Sequence, residues 1–374
     1  MTELESAKLI SISNLKTDIK PSLSFQKDIK KLTNIFKLII TSLSMFFIFV
    51  FTSFYIIIKS KSYVYQFLEN RKVVKNLNYY IQLQNYFCDY FHSLYNKKLE
   101  EELLLYSISL ENTNYDMFIY KSDDYISNII QKEHFYAKNE TLNILTALQE
   151  FANFNHIINP KEVVMIDIGG NIGWYPVYLG TYKYTILTFE PLPKNYYVLK
   201  KNFCRNNRDF FGDMSSIIII NEGLYSVEKT CDYYKNIEGK EKDIILCDTS
   251  KREKLGKDYS SKISVKMTLL SEILKYIDNR NIALIRINLD YEGEEAIGTV
   301  KHLFTQLHTP YIFIEFNIKS FEIRETDPKL FLNFFIENGY KISLNGFLDE
   351  STITIDEIIS SKSEHISLYL TYKK

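Results

Sequence analysis

The run VVMIDIGGNIGWYPVYLG, residues Val163 to Gly180, decides the fold. It opens with branched apolar residues of the kind that fill a strand buried on both faces. It then passes through an acid at Asp167 and places Gly169, Gly170 and Gly173 within one short turn. The chain holds only 12 glycines in 374 residues, so three together mark a place where backbone must bend or come close to something. A strand, a glycine turn and an apolar helix open a βαβ unit. In an open parallel sheet, ligands sit beyond the C-terminal ends of the strands.

Outward from that turn the same grammar repeats. Strands are expected at 162–168 (EVVMIDI), 184–190 (YTILTFE), 216–221 (SIIIIN), 282–290 (IALIRINLD) and 310–316 (PYIFIEF). Helices over 193–207 and 294–307 fit between them. A further helical segment covers 327–339 with Gly339 at its C′ position, and YKISLN and HISLYLTYK after it are expected to pair antiparallel. The fold class is therefore α/β, a mainly parallel Rossmann-like sheet.

Upstream, Leu38 to Ile58 gives 21 residues without charge, Pro or Gly. About 20 helical residues cross a bilayer core, so this segment reads as a single transmembrane helix. The organisation expected is a polar tail (1–37), the anchor (38–58), a helical stem (59–110) and one catalytic-sized domain (111–374). The stem carries Val74, Leu77, Ile81, Cys88, Phe91 and Tyr95 at helical spacing, and helix is expected over 62–105. Lys27, Lys30, Lys31 and Lys37 on one side of the anchor balance Lys59, Lys61, Arg71 and Lys72 on the other, so charge selects no side of the membrane. A sequon, Asn139-Glu140-Thr141, is usable if the C-terminal part is lumenal.

Lys and Arg (45) nearly cancel Asp and Glu (46), which leaves no field to recruit nucleic acid, and none is expected as a partner. Cys88, Cys204, Cys231 and Cys247 have no metal-ligand spacing; free thiols or one or two bridges both fit them. The six histidines form no metal motif, and no metal is expected.

The second half of the chemical signal is Glu190, which closes the next expected strand 17 residues after Gly173. An acid there accepts hydrogen bonds from the hydroxyls of an adenosine ribose. Dinucleotides and S-adenosylmethionine both present such a ribose. The dinucleotide pattern G-x-G-x-x-G fails, because Asn171 and Trp174 stand where it needs glycine. Asp167 and Asn171 instead offer polar groups suited to an amino-acid ammonium and carboxylate, so the expected cofactor is S-adenosylmethionine.

Five segments in order, IDIGGNIGWY, FEPLPKNY with LKKN after it, INEGLYS, LIRINLDYEGEEA and PYIFIEF, resemble the FkbM-type S-adenosylmethionine-dependent methyltransferases over roughly residues 112–350. The resemblance implies a class I methyltransferase fold with a seven-stranded sheet and helices on both faces. It implies methylation of a hydroxyl oxygen, on a sugar, glycolipid or polyketide-like acceptor. By the same resemblance Asp167, Gly169, Gly170, Asn171 and Gly173 line the methionine end of the cofactor, Glu190 holds the ribose and Asn221 approaches the adenine. Asp290 and Glu292 face the transferred methyl and the acceptor, and one of them is expected to act as general base. Asn288 stands where the family usually has Lys, with Arg286 two positions further upstream. That departure supports the alternative, a catalytically silent interaction module tethered to a membrane.

Overall fold

A computed structural model describes residues 31, 88, 97–122, 124–209, 217–236, 244–248, 259–269, 281–288, 309–324, 326–361, 363 and 365–372. The chain divides into two units, Met1–Val73 and Val74–Lys374, and of the first only Lys31 is described. Among the described residues no helix is long and apolar enough to cross a membrane. The expected anchor at 38–58, most of the stem, the helix expected over 294–307, and Asp290 and Glu292 lie outside the described residues.

In chain order the elements are strands β1 (Leu103–Leu110) and β2 (Thr113–Tyr120), helices α1 (Tyr125–Glu133) and α2 (Lys138–Phe154), β3 (Val163–Ile168), α3 (Trp174–Gly180), β4 (Thr185–Phe189) and α4 (Pro193–Asp209). Next come β5 (Ile217–Ile220), β6 (Gly223–Leu224), β7 (Lys229–Asn236), β8 (Ile244–Leu246), β9 (Tyr259–Thr268), β10 (Asn281–Asn288) and β11 (Tyr311–Asn317). The chain finishes with α5 (Ile318–Arg324), α6 (Pro328–Glu337), β12 (Tyr340–Ser343), α7 (Ile355–Ile359) and β13 (His365–Tyr372).

Seven strands form the central sheet in the order β12-β13-β11-β10-β3-β4-β5. β3 pairs parallel with β4 and β10, β4 with β5, and β10 with β11. β13 runs antiparallel between β11 and β12. This is an α/β Rossmann-like fold, and the five parallel strands are those expected from sequence. β12 and β13 pair as expected, but α7 separates them in sequence.

Period-two alternation in the strands divides the core. Met165, Ile186, Leu284 and Phe313 join α2, α3 and α4 in one cluster. Ile166, Leu187, Ile285 and Ile314 face the other way, onto Phe321, Phe331, Phe335 and Ile358 of α5, α6 and α7. All six residues of β3 are buried, which accounts for their unbroken apolar character up to Asp167.

The stem reading needs a correction at its C-terminal end. Lys97–Glu100 is a helical turn, but Leu103–Leu110, expected inside the 59–110 stem, is a strand paired antiparallel with β2. Leu103, Ile108 and Leu110 bury in the core cluster, a gain that helical spacing there does not provide. The other edge of β2 is satisfied by side chains of α4. Asn202 accepts from Phe118 N (2.5 Å) and donates to Phe118 O (3.0 Å), while Asn206 does the same at Asp116 (3.0 and 2.7 Å). Two amides one helical turn apart thus take the place of a strand.

β6, β9, β7 and β8 make a separate four-stranded sheet. Disulfides join Cys88 to Cys204 and Cys231 to Cys247, which resolves the alternatives that the sequence left open.

Candidate active site

Register brings the site together. Asp167 of β3 lies opposite Thr188 of β4 and Arg286 of β10, so three polar side chains stand in a row on one face at the C-terminal ends of the strands. Asp167 is fully buried, and both its oxygens are occupied. Oδ1 pairs with Arg286 Nη1 at 2.6 Å and Oδ2 accepts from Thr188 Oγ1 at 2.8 Å.

Arg286 is a hub. It is 2 % exposed and donates from Nη1 to the Gly169 carbonyl at 2.9 Å and from Nη2 to Glu315 Oε1 at 3.0 Å. Its guanidinium carbon stands 4.3 Å from the centre of the Tyr175 ring, and Tyr175 Oη donates to the same Glu315 oxygen at 3.2 Å. Burial opposes the guanidinium charge, but Glu315 and Asp167 outweigh it and hold its pKa above the ordinary value. A planar fork suits this arrangement of two carboxylates and a carbonyl better than an ammonium does.

The glycine turn packs against this row. Gly169 and Gly170 both donate to the Phe189 carbonyl (3.0 and 2.8 Å). Gly173, at φ 95°, is the residue from which α3 starts. Side chains of this chain fill the space opposite each Cα. An added Cβ at Gly170 would overlap Thr188 Oγ1, at Gly169 it would stand 3.1 Å from Asn288 Cβ, and at Gly173 3.1 Å from a Leu199 methyl. The close approach that these glycines permit is therefore between strands and helix. Pro176 falls in the first turn of α3, where no N–H partner is needed.

Glu190, just past β4, is fully buried and clamps two loops. Its Oε2 accepts from Asn171 N at 2.7 Å and its Oε1 from Leu192 N at 2.9 Å. Burial lifts its pKa from the ordinary 4.5 to about 7; the two N–H bonds pull it down, Asp167 adds to the rise and Arg286 opposes it. A carboxyl whose pKa rises on folding contributes stability below its unfolded value, and that contribution is lost as pH climbs from about 4.5 through about 7. Asn221 after β5 donates from Nδ2 to the Glu190 carbonyl (2.8 Å) and the Pro191 carbonyl (3.3 Å), latching the same loop.

Two polar atoms of this cluster have no hydrogen-bond partner among the described residues, Arg286 Nε and Asn171 Oδ1. Asn171 sits at φ 49°, its N–H is given to Glu190, and its Oδ1 is buried with no donor among the described residues. A buried acceptor without a donor costs about 1–3 kcal/mol, so such an atom is where a ligand's N–H or O–H would fit.

The structure thus brings Asp167, Gly169, Gly170, Asn171, Gly173, Glu190 and Asn221 to one end of the sheet. Sequence reading did not single out Thr188, Tyr175 or Glu315, and noted Arg286 only as a neighbour of Asn288. The available signal was a charge inside an otherwise apolar strand: Arg286 in IALIRIN and Glu315 in YIFIEF.

The class defined by sheet and site is an α/β Rossmann-like protein with its polar cluster at the strand C-termini. No protein-family model matches the chain, and no curated protein does. Among solved structures it is similar to the methyltransferase FkbM of Methylobacillus flagellatus, at 13% identity over 67% of this chain and 61% of that one, TM-score 0.34. It is similar to the magnesium protoporphyrin IX methyltransferase of Synechocystis with bound SAM, at 9% identity over 67% of this chain and 86% of that one, TM-score 0.34. The N-terminal domain of human METTL16 in complex with SAH is similar at 11% identity, over 76% of this chain and 94% of that one, TM-score 0.35.

Proposed function

We propose that the chain is a membrane-anchored S-adenosylmethionine-dependent O-methyltransferase acting on a hydroxyl of a glycan, a glycolipid or a related small molecule. The observation that carries the cofactor half is Asn171, whose backbone N–H is bound by Glu190 while its buried Oδ1 has no donor among the described residues. Asn171 Oδ1 would accept from the methionine ammonium. Each Glu190 oxygen has a second lone pair for a ribose hydroxyl. Asn221, at the end of β5, would flank the adenine side, while Gly169, Gly170 and Gly173 let Asn288, Thr188 and Leu199 pack closely against the turn that carries Asn171. Asp167 acts indirectly on this reading: through Arg286 and the Gly169 carbonyl it fixes the turn that carries Asn171. S-adenosylmethionine, when bound, supplies an electrophilic methyl group. Asp290 or Glu292 is proposed to take the proton of the acceptor hydroxyl, and Leu38–Ile58 to tether the domain to a membrane. A silent, tethered module is the second reading, favoured by the ion pair with Arg286 that occupies Asp167.

The pKa of Glu190 gives the test. Ribose hydroxyls donate to the ionised carboxylate, so below about pH 7 binding has to expel a proton. Calorimetric titration with S-adenosylmethionine is expected to give a dissociation constant about tenfold higher at pH 6 than at pH 8. Glu190→Gln is expected to weaken binding and abolish this dependence. A pH-independent affinity in the unsubstituted protein would remove Glu190 from the site.

A further inference from the structure

We propose that Asn139 carries an N-linked glycan, and that the domain containing it matures on the oxidising side of a membrane. Two independent features converge on this. All four cysteines of the chain are paired, Cys88 with Cys204 across 116 positions and Cys231 with Cys247 across 16, and all four are engaged in bridges rather than left as thiols. Structural disulfides persist in secretory and extracellular compartments and are rare where glutathione and thioredoxin keep thiols reduced.

The second feature is the chain's one Asn-X-Ser/Thr triplet, Asn139-Glu140-Thr141. Asn139 is exposed in the first turn of α2. Its neighbours have internal tasks. Thr141 Oγ1 donates to the Ala137 carbonyl (2.8 Å) and accepts from Trp174 Nε1 (2.9 Å), and Glu140 accepts from Ser367 Oγ (3.1 Å). The carbonyl of Asn139 accepts from Asn143 Nδ2 at 3.0 Å, and among the described residues its exposed side chain makes no hydrogen bond, so it stands at the surface as an acceptor for a sugar. Transfer to a nascent chain precedes folding, and the later burial of Thr141 does not obstruct it. This orientation rests on the proposed reading of Leu38–Ile58 as an anchor: its flanking lysines balance, so disulfides and sequon select the side that charge leaves open and put the N-terminal tail in the cytosol. The inference is independent of the cofactor, since no step of it uses S-adenosylmethionine.

The full chain expressed in eukaryotic cells supplies the test. Cells are quenched with a thiol-alkylating reagent, and the protein is examined before and after peptide-N-glycosidase treatment. The expected result is a glycosidase-sensitive band that Asn139→Gln loses and Thr141→Ser keeps, with all four cysteines refractory to alkylation until reduced. A wild-type chain that migrates identically to Asn139→Gln overturns the proposal, as does full alkylation without reduction.

Discussion

Replacing Arg286 by methionine is expected to lower the unfolding free energy by about 3–5 kcal/mol, the range for breaking a buried ion pair from one side. Methionine roughly fills the space of the side-chain stem, so the loss is electrostatic: Asp167 and Glu315 are left without their shared cation, and the Gly169 carbonyl without its donor. Asp167→Asn in the same background removes one of the two stranded charges. A double-mutant cycle of Arg286→Met and Asp167→Asn, read from denaturant midpoints, is therefore expected to show coupling of about 2 kcal/mol or more, with the double variant more stable than additivity predicts. Additive effects would mean that the ion pair contributes nothing to the site.

Gly170→Ala is expected to destabilise by about 3 kcal/mol, at the upper end of overpacking costs. The conflict is steric rather than conformational, because Gly170 does not have the positive φ of Gly169 and Gly173. Its new methyl would overlap the Thr188 hydroxyl that Asp167 needs. Thr188→Ala opens that space, so in its background the further cost of Gly170→Ala is expected to fall to within about 1 kcal/mol. Thermal or chemical unfolding of the four proteins checks this, and an unchanged cost in the Thr188→Ala background would show that the glycine is required for another reason.

These two experiments concern side chains whose roles could not be read from sequence. Strands were legible, since buried parallel strands have the continuous branched apolar composition of VVMIDI and IALIRIN. The polar ends of two strands, Asp167 and Glu190, were legible for the same reason, standing out against that background. What Asp167 touches was not, because its partner Arg286 lies 119 positions away and is brought to it by register alone. The β1–β2 hairpin was hidden for a local reason. Its turn, Glu111-Asn112, has no glycine, yet Glu111 adopts φ 52°, a conformation more often taken by Gly or Asn. The four-stranded sheet depends on β7 pairing with β9, across a long excursion that leaves no periodic trace. Disulfide pairing likewise follows from the folded positions of the cysteines and not from their spacing.

On the proposed function, the turn from Asp167 to Gly173, with Glu190 beside it, holds S-adenosylmethionine and not a dinucleotide. A titration of the folded chain at pH 8 with S-adenosylmethionine, and separately with NAD, tests it most directly. The expected result is saturable binding of S-adenosylmethionine with one site per chain and no response to NAD. Saturable binding of NAD with none of S-adenosylmethionine would contradict it.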